Sequence, residues 1–129
     1  MSINEKPDYS LDDPHMADID VLEISSEVYS DRRRVKVNFL LSDFQINPNA
    51  AISLVNQSGE QLAEVNIVNI FSPANEITLH IPANQNKPGD YQITLGLFYV
   101  QEEEVPETDG QVSLKTIPLK SVSTSFTLL

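Results

Sequence analysis

The chain has 129 residues, no cysteine and a formal net charge of −11, from 19 acidic against 8 basic side chains. The length suits one domain with a core of its own. Without cysteine there is no disulfide framework, thiol chemistry or cysteine-based metal cluster. The acidic balance argues against non-specific nucleic-acid binding, which needs cations to displace counterions from phosphates.

Residues 1–17, opening MSINEKPDYSLDDPH, are acidic and interrupted by Pro7 and Pro14. Such a segment buries too little apolar surface to offset its ordering entropy, so the expectation is a flexible acidic arm before one domain over 18–129. No stretch reads as a signal peptide and no apolar run approaches a membrane span. No membrane partner is expected, and a cytoplasmic location is the default expectation.

From Asp18 the pattern becomes that of strands. DIDVLEI alternates at Ile19 and Val21 and then breaks phase at Leu22 and Ile24, as a bulged first strand would. RVKVNFLL puts Val35, Val37, Phe39 and Leu41 on one face. AISLV offers Ile52 and Leu54 as an inward pair, and NQSGEQL reads as a turn at Gly59 leading into LAEVNIVNI, which predicts a hairpin. NEITLHI points Ile77, Leu79 and Ile81 inward. The longest alternation is in NKPGDYQITLGLFYV, with Tyr91, Ile93, Leu95, Leu97 and Tyr99 in phase. SVSTSFTLL closes the chain with Val122, Thr124, Phe126 and Leu128 in phase. Residues 101–121 are too long for a tight hairpin; Val112, Leu114 and Ile117 suggest that part of the segment pairs or packs. About seven strands and no amphipathic helix predict an all-β, two-sheet antiparallel sandwich.

Pro88-Gly89 predicts a sharp turn into the long strand, because proline fixes φ and glycine admits positive φ. A tyrosine at the first inward position after it, in PGDYQITL, resembles the tyrosine corner of immunoglobulin-like and fibronectin type III-like sandwiches. The resemblance covers residues 18–129 and implies that Tyr91 is a structural residue whose hydroxyl bonds nearby backbone. The chain lacks the tryptophan and cysteine pair of the immunoglobulin pattern, which leaves fibronectin type III-like and other bacterial immunoglobulin-like domains closer. A second similarity runs through VKVNFLLSDFQINPNAAISLVNQSGEQLAEVNI and ITLHIPANQNKPGDYQITLGLFY. In order of elements these look like the carbohydrate-binding C-terminal domain of ABC transporters that export O-antigen polysaccharide. In that family the domain is fused to an ATPase, which these residues do not contain.

The chemistry-bearing residues are few. His80 falls between inward positions and reads as an exposed strand histidine. His15 neighbours Asp12, Asp13 and Asp18, but one imidazole among arm carboxylates is poorly preorganised for a metal. DIDVLE and DDPHMADID lack the glycine-turned loop of a calcium hand. QEEEVPETD, residues 101–109, reads as a solvated acidic run; paired-carboxylate hydrolysis needs two acids in opposed environments across a cleft. No nucleophile elbow, phosphate-cradling glycine loop or H-E-x-x-H is present. No catalytic, metal or cofactor site is expected, and the chain is not read as an enzyme.

The leading expectation is a non-catalytic protein-interaction or assembly module acting through a sheet face, edge or end loops, with a protein partner or self-association. Its candidate surface comprises Phe98, Tyr99 and Val100 of the long strand, where Phe98 lies opposite the core set beside Gly96, and the basic run Arg32, Arg33 and Arg34. The run itself reads either as an anion patch or as a turn neutralising adjacent acids. The alternative is a glycan- or small-ligand-binding module. With no tryptophan, Tyr9, Tyr29 and Tyr99 would have to serve as stacking platforms.

Overall fold

The computed structural model describes residues 19–104 and 112–129, and within them the chain is all β. Seven strands follow in order: β1 Val21–Val28, β2 Arg34–Leu41, β3 Asn49–Asn56, β4 Gln61–Ile67, β5 Ala74–His80, β6 Gly89–Glu104 and β7 Val112–Leu128. They form a three-stranded sheet, β1-β2-β5, and a four-stranded sheet, β4-β3-β6-β7. Every pairing is antiparallel. The chain is therefore the expected two-sheet sandwich. The arm expected over residues 1–17 lies outside the described residues.

Period-two alternation decides which faces meet. Val35, Val37, Phe39 and Leu41 of β2 and Leu79 of β5 close from one sheet onto Ile52, Leu54, Ile93, Leu95 and Leu97 of the other, in one buried cluster. Burying such side chains stabilises the fold by about 1.5–3 kcal/mol each relative to leaving them in water. The break in phase at Leu22 is a β-bulge, a register shift between Val21 and Glu23 against β2. It turns Leu22 out to solvent at 59 % exposure while Ile24 returns toward the core.

The β1–β2 turn, the β3–β4 turn and the 81–88 connection share one end of the sandwich, here called the lower end. At the β3–β4 turn the Asn56 side-chain oxygen accepts the Ser58 and Glu60 amides at 3.0 and 2.9 Å, and Gly59 takes φ 86°. Connections 42–48 and 68–73 lie at the upper end, where Ile70 N donates to Pro48 O and Leu41 N to Pro73 O.

β6 and β7 are twice as long as the other strands because they outrun them. β3 pairs with β6 only as far as Asn49 opposite Phe98. Beyond that, β6 continues to Glu104 with β7 as its partner. The extension of about six residues makes a two-stranded arm roughly 20 Å long at ~3.3 Å per residue. Of residues 101–121, which resisted a single reading from sequence, the described ones, 101–104 and 112–121, are thus strand. A register shift between Leu97 and Phe98 marks the root of the arm: Leu97 faces Lys120 and Phe98 faces Pro118, so Leu119 is the extra residue. Pro118 is tolerated because β7 is an edge strand with a bulge at that point.

Candidate interaction surface

The long strand is anchored at its lower end. The Tyr91 hydroxyl donates to Lys87 O at 2.6 Å, with Gln85 O at 2.8 Å as a second acceptor. Its ring stacks on Phe126 of β7, with centroids 5.2 Å apart and planes at 5°. Gly89 enters the strand at φ 142°, a conformation closed to side-chain-bearing residues, and a Cβ there would lie 2.8 Å from Gln57 Oε1. That same Gln57 oxygen accepts the Asp90 amide at 3.2 Å. These contacts fix the register of β6 and hence which side chains its outer face presents.

That face belongs to β3, β6 and β7. Pairing aligns Ser53, Thr94 and Ser123 across its centre, with Ala51, Gly96 and Ser121 one step above. Thr94 Oγ1 and Ser123 Oγ are 3.2 Å apart, and Thr127 Oγ1 donates to Asp90 Oδ1 at 2.7 Å. Above Gly96 the face turns apolar: Phe98 is half-buried against Pro118, and beyond them Val100 and Leu114 are 44 % and 68 % exposed. The outward positions of these three strands carry no ionisable side chain between Asp90 at the bottom and Glu102 on the arm. Glu64 of β4, opposite Ser53, bounds the face laterally.

The outer face of the other sheet has a different character. β2 presents Arg34, Lys36 and Asn38 outward, paired with His80, Thr78 and Glu76 of β5. On the β1 side, Lys36 meets Glu27 at 3.6 Å. At its upper corner an open groove of about 520 Å³ is lined by Leu22, Glu23, Phe39, Leu40, Ala74 and Asn75.

Arg32, Arg33 and Arg34 adjoin in sequence but do not make one cationic patch. Arg32 and Arg33 belong to the β1–β2 turn and Arg34 opens β2; the turn is closed by Arg32 N to Tyr29 O and Tyr29 N to Arg34 O, both 2.9 Å. Arg34 Nε lies 3.0 Å from Asp31 Oδ2, and its guanidinium covers the Tyr29 ring 4.2 Å from the centroid. The Asp31 carboxylate also accepts the Arg33 amide at 3.0 Å. That backbone bond, followed by Arg34, holds its pKa below the ordinary carboxylate value. Arg32 is half-buried at φ 59°, and its Nε has no hydrogen-bond partner. Only Arg33 is fully exposed. The run is also at the opposite end of β1 from Ile19, where the described chain begins.

Tyr99, grouped with Phe98 and Val100 in the sequence reading, turns inward and is 3 % exposed. Strand alternation requires this, and the Tyr99 hydroxyl donates to Ile46 O at 3.2 Å. Burial raises its pKa above the ordinary tyrosine value. His80 is exposed at the end of β5. Among the described residues, no group of three histidines and carboxylates is placed to hold a metal ion, and no helix is long and apolar enough to cross a membrane. His15, Tyr9 and most of the 101–109 acidic run lie outside the described residues.

The sequence reading missed several surface residues. Pro118 and Leu114 complete the apolar strip above Phe98, but only the β6–β7 register reveals it. Val68 and Phe71, in the β4–β5 connection at the upper end, are 72 % and 82 % exposed. Val68 looked like strand continuation in LAEVNIVNI, yet β4 stops at Ile67; Phe71 lies just beyond that run. Compared with models of known protein families and with curated proteins, the chain matches none.

Proposed function

We propose that this chain is a non-catalytic protein-interaction module whose docking surface is the outer face of β3, β6 and β7 together with the root of the arm. The observation that carries this reading is the contrast between its two faces. In a chain with a net charge of −11, one face carries both acids and bases while the β3, β6 and β7 part of the other is uncharged and grades into the apolar strip Phe98, Pro118, Val100 and Leu114. Depletion of charge at the centre of a patch, with apolar groups beside it, is one compositional mark of protein interfaces.

Within this proposal the domain is immunoglobulin-like, of the fibronectin type III-like kind. The Tyr91 hydroxyl bonded to the turn before its own strand supports that assignment. So does the strand partition: the fourth strand pairs with the third, whereas in constant-type immunoglobulin domains it lies with the first, second and fifth. The glycan alternative has weaker support. Of its stacking candidates, Tyr99 is buried and Tyr29 is covered by Arg34.

The docking reading is tested with single cysteines, which the native chain lacks. Alkylation of Ser123→Cys, on the proposed face, is compared with that of Thr78→Cys, on the opposite sheet. It is measured in the cells that make the protein and in dilute purified protein. The expected result is several-fold slower labelling of Ser123→Cys alone in cells. Equal rates at both positions would overturn the reading.

A further inference from the structure

We infer that the occupant of this face is a second copy of the same chain, packed sheet on sheet. The inference rests on the docking reading above and names its partner. It starts from electrostatics. Two chains of −11 repel one another, so their closest contact is favoured where neither contributes charge, and a face without ionisable groups meets its own copy with no like-charge pair. A strongly basic partner would be drawn instead to an acidic surface, which the centre of this face is not.

The chemistry of the face also suits closure on itself. Its side chains are small, so two sheets can approach to the ~10 Å separation of stacked sheets. In the central row Thr94 and Ser123 are already paired with each other, so dehydrating them leaves fewer orphaned donors. The apolar strip lies off centre, beside Phe98, and supplies the area most favourably removed from water.

The size comes close to what such an interface needs. Three strands at ~4.8 Å spacing and about seven residues at ~3.3 Å rise project about 330 Å². The two-stranded arm adds about 200 Å² by the same arithmetic. Together these approach the ~600–1,000 Å² of accessible surface that each partner contributes to an ordinary specific interface.

The test measures molar mass by light scattering on the full chain, from micromolar to near-millimolar concentration. Wild type is compared with Thr94→Lys, Ser123→Lys and, as a control on the other sheet, Thr78→Lys. Cooperative thermal unfolding of each variant verifies that it folds. The expected result is a wild-type dimer of twice 14.4 kDa, weakened at least ~100-fold by either lysine on the face, because each buries an unpaired charge, and unchanged by Thr78→Lys. A wild type that stays monomeric, or a dimer indifferent to both face variants, would overturn the inference. A monomeric wild type with Ser123→Cys still shielded in cells would leave the docking reading standing and assign the face to another protein. Absence of shielding as well would remove both.

Discussion

Thr94 and Ser123, on adjacent strands and 29 residues apart in sequence, bring their hydroxyl oxygens to 3.2 Å at the centre of the uncharged face. The pair is set there by the β6–β7 register, which holds without interruption from Gly89 opposite Leu128 to Leu97 opposite Lys120. What pins that register at its lower end is Tyr91, stacked on Phe126 and bonded to the turn below. The surface chemistry of the domain thus depends on a buried tyrosine.

Tyr91→Phe keeps the ring in the core and removes the hydroxyl, leaving the Lys87 and Gln85 carbonyls without that donor. The expected loss is about 1–2 kcal/mol, the range for a part-buried hydrogen bond whose partners stay behind. Urea unfolding measures it as a lower midpoint at unchanged m value. A midpoint equal to wild type would show that the corner is ornamental to stability.

Arg32→Gly is expected to stabilise the protein. Arg32 occupies the left-handed region at φ 59° and keeps an Nε with no partner. A side-chain-bearing residue in that region costs about 1–2 kcal/mol, against about 0.5–1 kcal/mol of extra chain entropy lost by glycine, so the net gain is about 0.5–1 kcal/mol. The same urea titration reads it. A loss of stability would mean that the Arg32 stem contributes more by packing than its backbone costs.

Tyr99 is expected to ionise above the ordinary tyrosine value of 10.0, because burial disfavours the phenolate. A native pKa above the unfolded one means that the folded protein holds the proton more tightly. Its contribution to stability is therefore complete below pH 10 and is lost as pH rises through the raised native value. Phenolate absorbance of wild type minus that of Tyr99→Phe isolates the group. A difference titrating at or below pH 10 contradicts its buried placement.

The core was legible in the sequence where a strand has one wet and one dry face. Val35 to Leu41 and Tyr91 to Leu97 alternate because burial on one side selects apolar residues at every second position. The arm was not legible for the converse reason: clear of the sandwich it has no buried side. Gln101 opposite Lys115 and Glu102 opposite Leu114 show no period. Tyr99 obeys the alternation and belongs with the core, so its grouping with Phe98 and Val100 followed sequence proximity over strand geometry. The arginine run misled similarly, because a turn sends adjacent side chains in different directions: Arg34 onto Tyr29, and Arg32 into partial burial. The uncharged face emerges only from the register that places Ser53, Thr94 and Ser123 in one row.

The most direct measurement of the central claim is the salt dependence of molar mass in solution. An interface without charges between two chains of −11 has only long-range repulsion for salt to screen, so the dimer is predicted to persist and to tighten as ionic strength rises. A dimer that dissociates with added salt would place the contact on charged groups, and a single-chain mass at every concentration and salt would leave the face without its own copy. Either result would contradict the account.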